Sequence, residues 1–360
     1  MAKVLVVITT GFVSWGGLTT VAMNYYQVMD KTGFLINFAS INEIEKPLLT
    51  ILKQNNSRYI QLPDRKLNLL GYMRALYEEI KVEKYDIIHI HGNSATMAIE
   101  LFLAYLIGVK TRIGHVHTSR PQHFILNVML KPFMQRLITQ RVAVSEEAGK
   151  NLFGDRKFHI LNNAIDVNHY RFNKKDRDTF RKRMHISEND FVIGNVGKIN
   201  AGKNQKFLVE IFAAICKTKE NAKLLIVGDG ELKEELLLKI HALGIEGRCI
   251  LAGMQMDTAP FLSVMDVFVF PSFYEGLSLS LLEAQASGLK CYYTETLARR
   301  GIVAPYCYGL GLDKKSDWIN AISNVKEYDR EKTSERAIEC LTECGFNINN
   351  ESNHLKELYL

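Results

Sequence analysis

The 360-residue sequence predicts an α/β protein of two doubly wound, Rossmann-like domains in series; if the carboxyl ends of their strands face one another, the cleft between the domains is the site. Three observations predict it. Short apolar runs rich in Val and Ile alternate with longer helical stretches from the first residues to about residue 323. A charged, helix-forming run over residues 170–187 interrupts that alternation once and divides it into two sets. Glycine, histidine and lysine then stand just past strand ends, where such folds gather their ligand-binding loops.

The first set places strands at residues 4–8, 34–39, 59–62, 86–91, 112–117, 140–144 and 159–161. Helices fall at about 20–29, at 69–82, and after the fourth strand through 106. The second set places strands at 191–196, 223–227, 249–252, 267–270 and 290–293, with helices at 205–217, 232–243, 259–264 and 278–287. A late helix over 339–359 has no strand after it and is free to cross back to the first domain. The domains expected are 1–168 and 169–344, with residues 345–360 packing back on the first.

No run of 18 apolar residues occurs, and the opening MAKVLVVITTGF reads as a strand, so neither a spanning helix nor a cleavable leader is expected, and the setting expected is cytoplasmic. The six cysteines lie in the second half without C-x-x-C spacing, which favours reduced core thiols over disulfides or zinc. Residues 1–169 hold 19 Lys and Arg against 13 Asp and Glu, and the rest is balanced at 26 and 26. So uneven a distribution points to an anionic partner: acidic lipid at the inner face of a membrane, nucleic acid or a charged substrate. Nucleic acid is disfavoured, because no basic run with interleaved aromatics is present. Residues 119–140 set Arg120, Lys131 and Arg136 among Phe124, Ile125, Leu126, Met129, Leu130, Phe133 and Met134. That segment either rests on a membrane surface or packs as a plain amphipathic helix on its own domain.

The most informative stretch is FVFPSFYEGLSLSLLEAQASGL, residues 268–289. A buried strand runs into a turn at Pro271 and Ser272, then into an apolar helix near Ser278. Glu275 stands in the turn. Glu283 lies inside the helix among Leu281, Leu282, Ala284 and Ala286, where an unpaired charge is costly, so a polar ligand is expected. Gly276 and the residues after it offer free N–H groups at a helix N-terminus, a place suited to phosphate. Amides for phosphate, Glu283 for a ribose diol and Glu275 for further hydroxyls suit a phosphorylated, polyhydroxylated ligand. The competing view is of two solvent-edge glutamates.

GKINAGKN, residues 197–204, nearly matches a P-loop, but Asn204 lacks the magnesium-binding hydroxyl and no Walker B strand follows. Lys198 and Lys203 reaching toward a diphosphate fits better, against the alternative of two solvated lysines. Gly16 and Gly17 open the first helix and let the backbone approach a phosphate. His89 with His91, and His115 with His117, form two H-x-H pairs at strand ends, each on one strand face. Zinc is one reading, structural histidine the ordinary one, and His117, read as last in its strand, is the one expected to face the cleft. Asp176-Arg177-Asp178 spells D-x-D but sits in a basic run and reads as a solvated helix face.

Taken together, VGDGE (residues 227–231), the lysine pattern at Lys198 and Lys203, and the two glutamates separated by seven residues resemble the retaining glycosyltransferases of family 4, which have the GT-B fold. RIGHVHTS, NNAID (residues 162–166) and GKINAGKNQKFLVEIF are similar to the bacterial branch that builds capsular and extracellular polysaccharides. The resemblance covers essentially the whole chain. It implies transfer of a sugar from a nucleotide diphosphate, commonly a UDP-sugar, to a saccharide or lipid-linked saccharide, with anomeric configuration retained and with no cofactor or catalytic metal. It implies that Glu283 binds ribose, and that Lys198 and Lys203 bind the diphosphate. Gly228, Gly276, Leu277 and Ser278 would line the donor, with Glu275 on its sugar, Gly17 on the diphosphate from the other domain, and His117 beside the reacting sugar. His117, Glu275 and Lys203 are the residues implied for catalysis. The sequence departs from the family pattern in Lys198 for Arg, Asn204 for Gly, Lys290 for Pro, and Glu295 near a usual Asp. Two other classes stay open: a P-loop kinase or ATPase, and a catalytically silent sugar-nucleotide binder.

Overall fold

The computed structural model describes residues 1–13, 16–118, 124–297 and 299–360. The chain forms two compact units, Met1–Ala164 with Ile348–Leu360, and Ile165–Asn347.

In unit 1 the order is β1 (Ala2–Ile8), α1 (Gly17–Val28), β2 (Phe34–Ser40), α2 (Lys46–Gln54), β3 (Tyr59–Gln61), α3 (Leu69–Glu83), β4 (Ile87–Gly92), α4 (Ala98–Ile107), β5 (Thr111–Val116), α5 (Phe124–Leu137), β6 (Gln140–Ala143), α6 (Glu146–Phe153) and β7 (His159–Ile160). The seven strands form a parallel sheet in the order β3-β2-β1-β4-β5-β6-β7. Val4, Leu5, Val7 and Ile8 are wholly buried because helices cover both faces, and this is why β1 is continuously apolar instead of alternating. The C-terminal helix Ile348–Tyr359 completes this unit, with Lys356 Nζ 2.6 Å from Asp30 and the Tyr359 hydroxyl 2.8 Å from His89 Nδ1.

Unit 2 contains α7 (Lys174–Arg183), β8 (Phe191–Val196), α8 (Gln205–Ile215), β9 (Ala222–Val227), α9 (Lys233–Ala242), β10 (Cys249–Leu251), α10 (Ala259–Val264), β11 (Val267–Phe270), α11 (Leu279–Ala286), β12 (Lys290–Thr294), β13 (Cys307–Leu310), α12 (Lys315–Ser323) and α13 (Arg330–Glu343). Its parallel sheet runs β10-β9-β8-β11-β12-β13. The order in which strands are added reverses between β8 and β11, a switch point at whose carboxyl ends such sheets open a crevice.

Four expectations are corrected. The late helix over 339–359 is two helices, because Gly345 at φ +76° ends α13 and hands the chain to unit 1. The basic run around Asp176-Arg177-Asp178 is not simply a solvated face. Arg181 is 3% exposed and donates to the carbonyls of Val264, Ser187 and Asp190 and to Asp266 Oδ2 at 2.8 Å. Arg177 binds the other Asp266 oxygen at 2.6 Å. All six cysteines are unpaired thiols as expected, but only Cys291 is fully buried and Cys344 is exposed. The segment over 119–140 is a helix from Phe124 onward that packs on its own domain through Leu130, Met134 and Leu137, but unlike a plain amphipathic helix it leaves Phe124, Ile125, Val128, Met129 and Phe133 exposed; Ser119 and Arg120 lie outside the described residues. Among the described residues no helix is long and apolar enough to cross a membrane.

Candidate active site

The crevice of unit 2 is built from the loops that follow β8, β9 and β11. After β8 the chain turns at Gly197 and enters α8 through Asn204, whose φ of +56° explains why this position takes asparagine or glycine. Asn204 Nδ2 donates to Pro271 O at 3.1 Å, and Phe273 N donates to Gly202 O at 2.9 Å. The β8 and β11 loops are thereby stitched together across the reversal point. Lys203 Nζ lies 2.7 Å from Glu275 Oε1 and 4.7 Å from the centre of the Phe270 ring. Both charged side chains are about a fifth exposed, so the pair is partly shielded while still reachable from solvent. Lys198, which follows Gly197, pairs with Glu231 of the β9 loop at 2.9 Å. Gly228, first after β9, has φ +144°, and a Cβ there would fall 2.0 Å from Gly197 O. The two glycines bring the β8 and β9 loops into backbone contact.

After β11, Gly276 is exposed with open space where a side chain would be, and Leu277 and Ser278 are half-buried. Ser278 caps α11 without a side-chain hydrogen bond to its first turn, because its hydroxyl meets Ser280 Oγ at 3.1 Å. The N–H groups at this helix start therefore carry no side-chain cap. One turn on, Glu283 is 8% exposed and accepts from Thr258 Oγ1 at 3.1 Å. Burial pushes its pKa up to about 7, with Asp257 adding to the rise and with Thr258, Tyr170 and His169 opposing it. His169 Nε2 lies 2.9 Å from Asp257 Oδ1, on the border of this network.

In unit 1, Gly17 is the first residue of α1, exposed and with nothing within 4 Å of a Cβ position. His117 is the first residue past β5 and not the last within it, because pairing with β4 ends at Val116. Its Nε2 lies 2.9 Å from His91 Nδ1, while His89 Nε2 lies 3.2 Å from His115 Nδ1. Alternation along β4 and β5 puts all four rings on one sheet face, with centroids of neighbouring rings 4.3–5.4 Å apart. Burial lowers the pKa of all four, His89 to about 3, so these imidazoles are neutral near pH 7. A cavity of about 20 Å³ lies against His89, His91, His115 and Tyr359. Among the described residues, His89, His91 and His115 are the group whose nitrogens could hold a metal, all within 4.8 Å of one another. Two of those nitrogens, His89 Nε2 and His115 Nδ1, lie 3.2 Å apart, within hydrogen-bonding reach of one another.

Of the residues singled out from sequence, Lys203 and Glu275, 72 positions apart, are joined directly. Glu283 is joined instead to Thr258 and Tyr170, and Lys198 to Glu231, none of which was singled out as a partner. Glu231 was visible within VGDGE; Tyr170 and Thr258 carried no local signal, since only the fold carries them to α11.

Two Rossmann-like units, each with a parallel sheet, have the GT-B class of fold, and the solved structures that match agree. Residues 176–339, within unit 2, match the family described as glycosyl transferases group 1. The chain is 28% identical to EpsF of Bacillus subtilis, which bears a provisional glycosyltransferase name, over 96% of this chain and 93% of that protein. It is 27% identical, with the same coverage, to the UDP-Gal:alpha-D-GlcNAc-diphosphoundecaprenol alpha-1,3-galactosyltransferase of Escherichia coli. Anabaena HepE, solved in complex with UDP and glucose, superposes with a TM-score of 0.78 at 16% identity, covering 98% of each chain.

Proposed function

We propose that this chain is a metal-independent, retaining glycosyltransferase that moves a sugar from a UDP-sugar to a saccharide or lipid-linked saccharide in bacterial surface polysaccharide synthesis, at the inner face of the membrane. The observation that carries the reading is the Lys203–Glu275 ion pair at the β8/β11 reversal point, beside the side-chain-uncapped start of α11. A diphosphate entering there exchanges one anionic partner of Lys203 for another, and the α11 N–H groups take its oxygens. Glu283, one turn into the helix, accepts from the ribose diol. Lys198 leaves Glu231 for the same diphosphate.

Leaving-group charge is the barrier these groups lower. As the bond from the anomeric carbon to the diphosphate oxygen breaks, the electron pair stays on the diphosphate, where the lysine ammoniums and helix amides stabilise it. The acceptor hydroxyl attacks on the same face and passes its proton to a phosphate oxygen, which retains configuration without a protein nucleophile. Glu275, released from Lys203, turns to the sugar hydroxyls, and His117, neutral and held by His91, lies by the reacting sugar. The donor and acceptor classes are supported by HepE's complex with UDP and glucose and by the diphosphoundecaprenol acceptor in the Escherichia coli relative's name.

Lys203→Ala should lower kcat/KM on the order of 100-fold or more in a donor-consumption assay containing EDTA. Undiminished turnover by that variant contradicts the proposal. Calorimetry with ATP and magnesium in place of UDP separates it from the P-loop reading, and binding of UDP without any transfer would favour the silent binder.

A further inference from the structure

We propose that the outward face of α5 docks on an anionic lipid bilayer. A helix on the surface of a doubly wound domain ordinarily buries apolar side chains and exposes polar ones. In α5 the inward side is mixed: Leu130, Met134 and Leu137 pack on the core, but two polar residues join them, and the outward side is largely apolar. Asn127 and Gln135 face inward at 7% exposure each. Asn127 Oδ1 accepts from Ala95 N at 2.7 Å, Gln135 Nε2 donates to Leu152 O at 3.1 Å, and Gln135 Oε1 accepts from Arg141 Nε at 3.0 Å. Facing outward are Phe124 at 72%, Ile125 at 73% and Met129 at 70% exposure, with Val128 between them and Phe133 one turn further on. The Phe133 ring meets Phe102 of α4 at 5.5 Å, and on α4 Tyr105 and Leu106 are each 55% exposed. Spacings of one and four residues put Phe124, Ile125, Val128, Met129 and Phe133 on one arc, so they form a connected apolar surface. A surface of this kind is shaped for a partner or another phase, not for water.

Charge decides which occupant fits. Residues 101–145 contain no Asp or Glu, and of their described cations Lys110 and Arg136 are exposed and Lys131 half-buried, while Arg112 and Arg141 are turned to Leu137 O and Gln135. Arg136 is exposed and ends the same arc. A second copy of this chain docked through the same face would oppose cation to cation, because a two-fold interface repeats its patch on both sides. A bilayer containing acidic lipid satisfies both features: acyl chains take the apolar arc, and headgroup phosphates take the flanking cations. The proposal deepens the transfer reading, for it names where a lipid-linked acceptor is met, and it rests on that reading only for its purpose.

The test uses the full chain and vesicles of phosphatidylcholine with or without phosphatidylglycerol. The wild-type chain should sediment with the phosphatidylglycerol vesicles, less so with neutral ones and less as salt rises. Ile125→Glu with Met129→Glu should weaken binding to both by more than about tenfold, and Arg136→Gln should weaken the acidic-lipid binding by about fivefold while leaving the neutral-lipid binding as it was. Unchanged thermal midpoints show that the variants fold. Wild-type chain left in the supernatant, equal binding by the double variant, or a dimer in light scattering that the double variant dissolves would each overturn the proposal. No nucleotide is needed for vesicle binding, so a chain that docks but never binds UDP refutes the transfer reading alone.

Discussion

The raised pKa of Glu283 makes donor affinity depend on pH in a way that can be worked out beforehand. In the ligand-free chain this carboxyl titrates at about 7, because it is buried with little compensation. A ribose diol donates to the ionised form, so binding selects the carboxylate. Apparent affinity scales with the ionised fraction, roughly nine-tenths at pH 8, a half at pH 7 and about one-tenth at pH 6. The dissociation constant for UDP-glucose, whose phosphates do not titrate in this range, should therefore rise about tenfold from pH 8 to pH 6. Calorimetry in buffers of different ionisation enthalpy should register about half a proton released per nucleotide at pH 7. Glu283→Gln should bind about tenfold more weakly at pH 8, because a charge-assisted bond becomes a neutral one, and should show no pH slope. The folded-state pKa lies above the ordinary 4.5, so the native chain holds the extra proton between those values and this group's contribution to stability falls as pH rises from about 4.5 to 7. The same variant should thus stabilise the fold at pH 8 by up to about 3 kcal/mol. A dissociation constant that stays flat from pH 6 to pH 8 in the wild type, or an equal slope in the variant, refutes the reasoning.

Other positions give independent checks. Gly228→Ala puts a Cβ at 2.0 Å from Gly197 O in a backbone conformation that L side chains rarely adopt, so denaturant melts should show a loss of at least about 2 kcal/mol together with weakened UDP binding. Arg181→Ala strips Asp266 and several carbonyls of a buried donor and should cost about 3–5 kcal/mol in the same assay, without changing nucleotide affinity in the protein that stays folded. The histidine stack predicts sensitivity to acid. The folded-state pKa of His89 lies near 3, below the ordinary 6.5, so its contribution is whole above 6.5 and is lost as pH falls toward 3. At pH 5 this one ring should cost about 2 kcal/mol relative to pH 7, with His91 and His115 adding in the same direction, and a denaturation midpoint unchanged between those pH values would contradict it.

The sheets were legible because buried parallel strands are continuous apolar runs: Phe191–Val196 and Val267–Phe270 begin and end where the pattern does. Short or half-exposed elements were not. Strand β13 is four residues with Tyr308 and a glycine at the sheet edge, and α6 was overlooked although Ser145 before two glutamates is a cap signal, its hydroxyl accepting from Ala148 N. Helix α5 was legible as an apolar, basic helix with a membrane surface and its own domain left as alternatives, since periodicity gives the faces of a helix and not which face meets the sheet. The lysines and glutamates of the crevice could be named one by one from their positions after strands. Their pairing could not, because Lys203 meets Glu275 only once β8 and β11 lie side by side. For the same reason the Thr258–Glu283 bond, which joins α11 to the residue before α10, left no trace in either segment.

The most direct measurement is a crystal structure of the full chain with UDP bound in the presence of EDTA. Diphosphate oxygens should lie about 3 Å from Lys203 Nζ and from the N–H groups at residues 276–278, with Glu275 displaced from Lys203 and the ribose hydroxyls on Glu283. A crevice left empty at saturating UDP, or a diphosphate bound away from Lys203 and the start of α11, would contradict it.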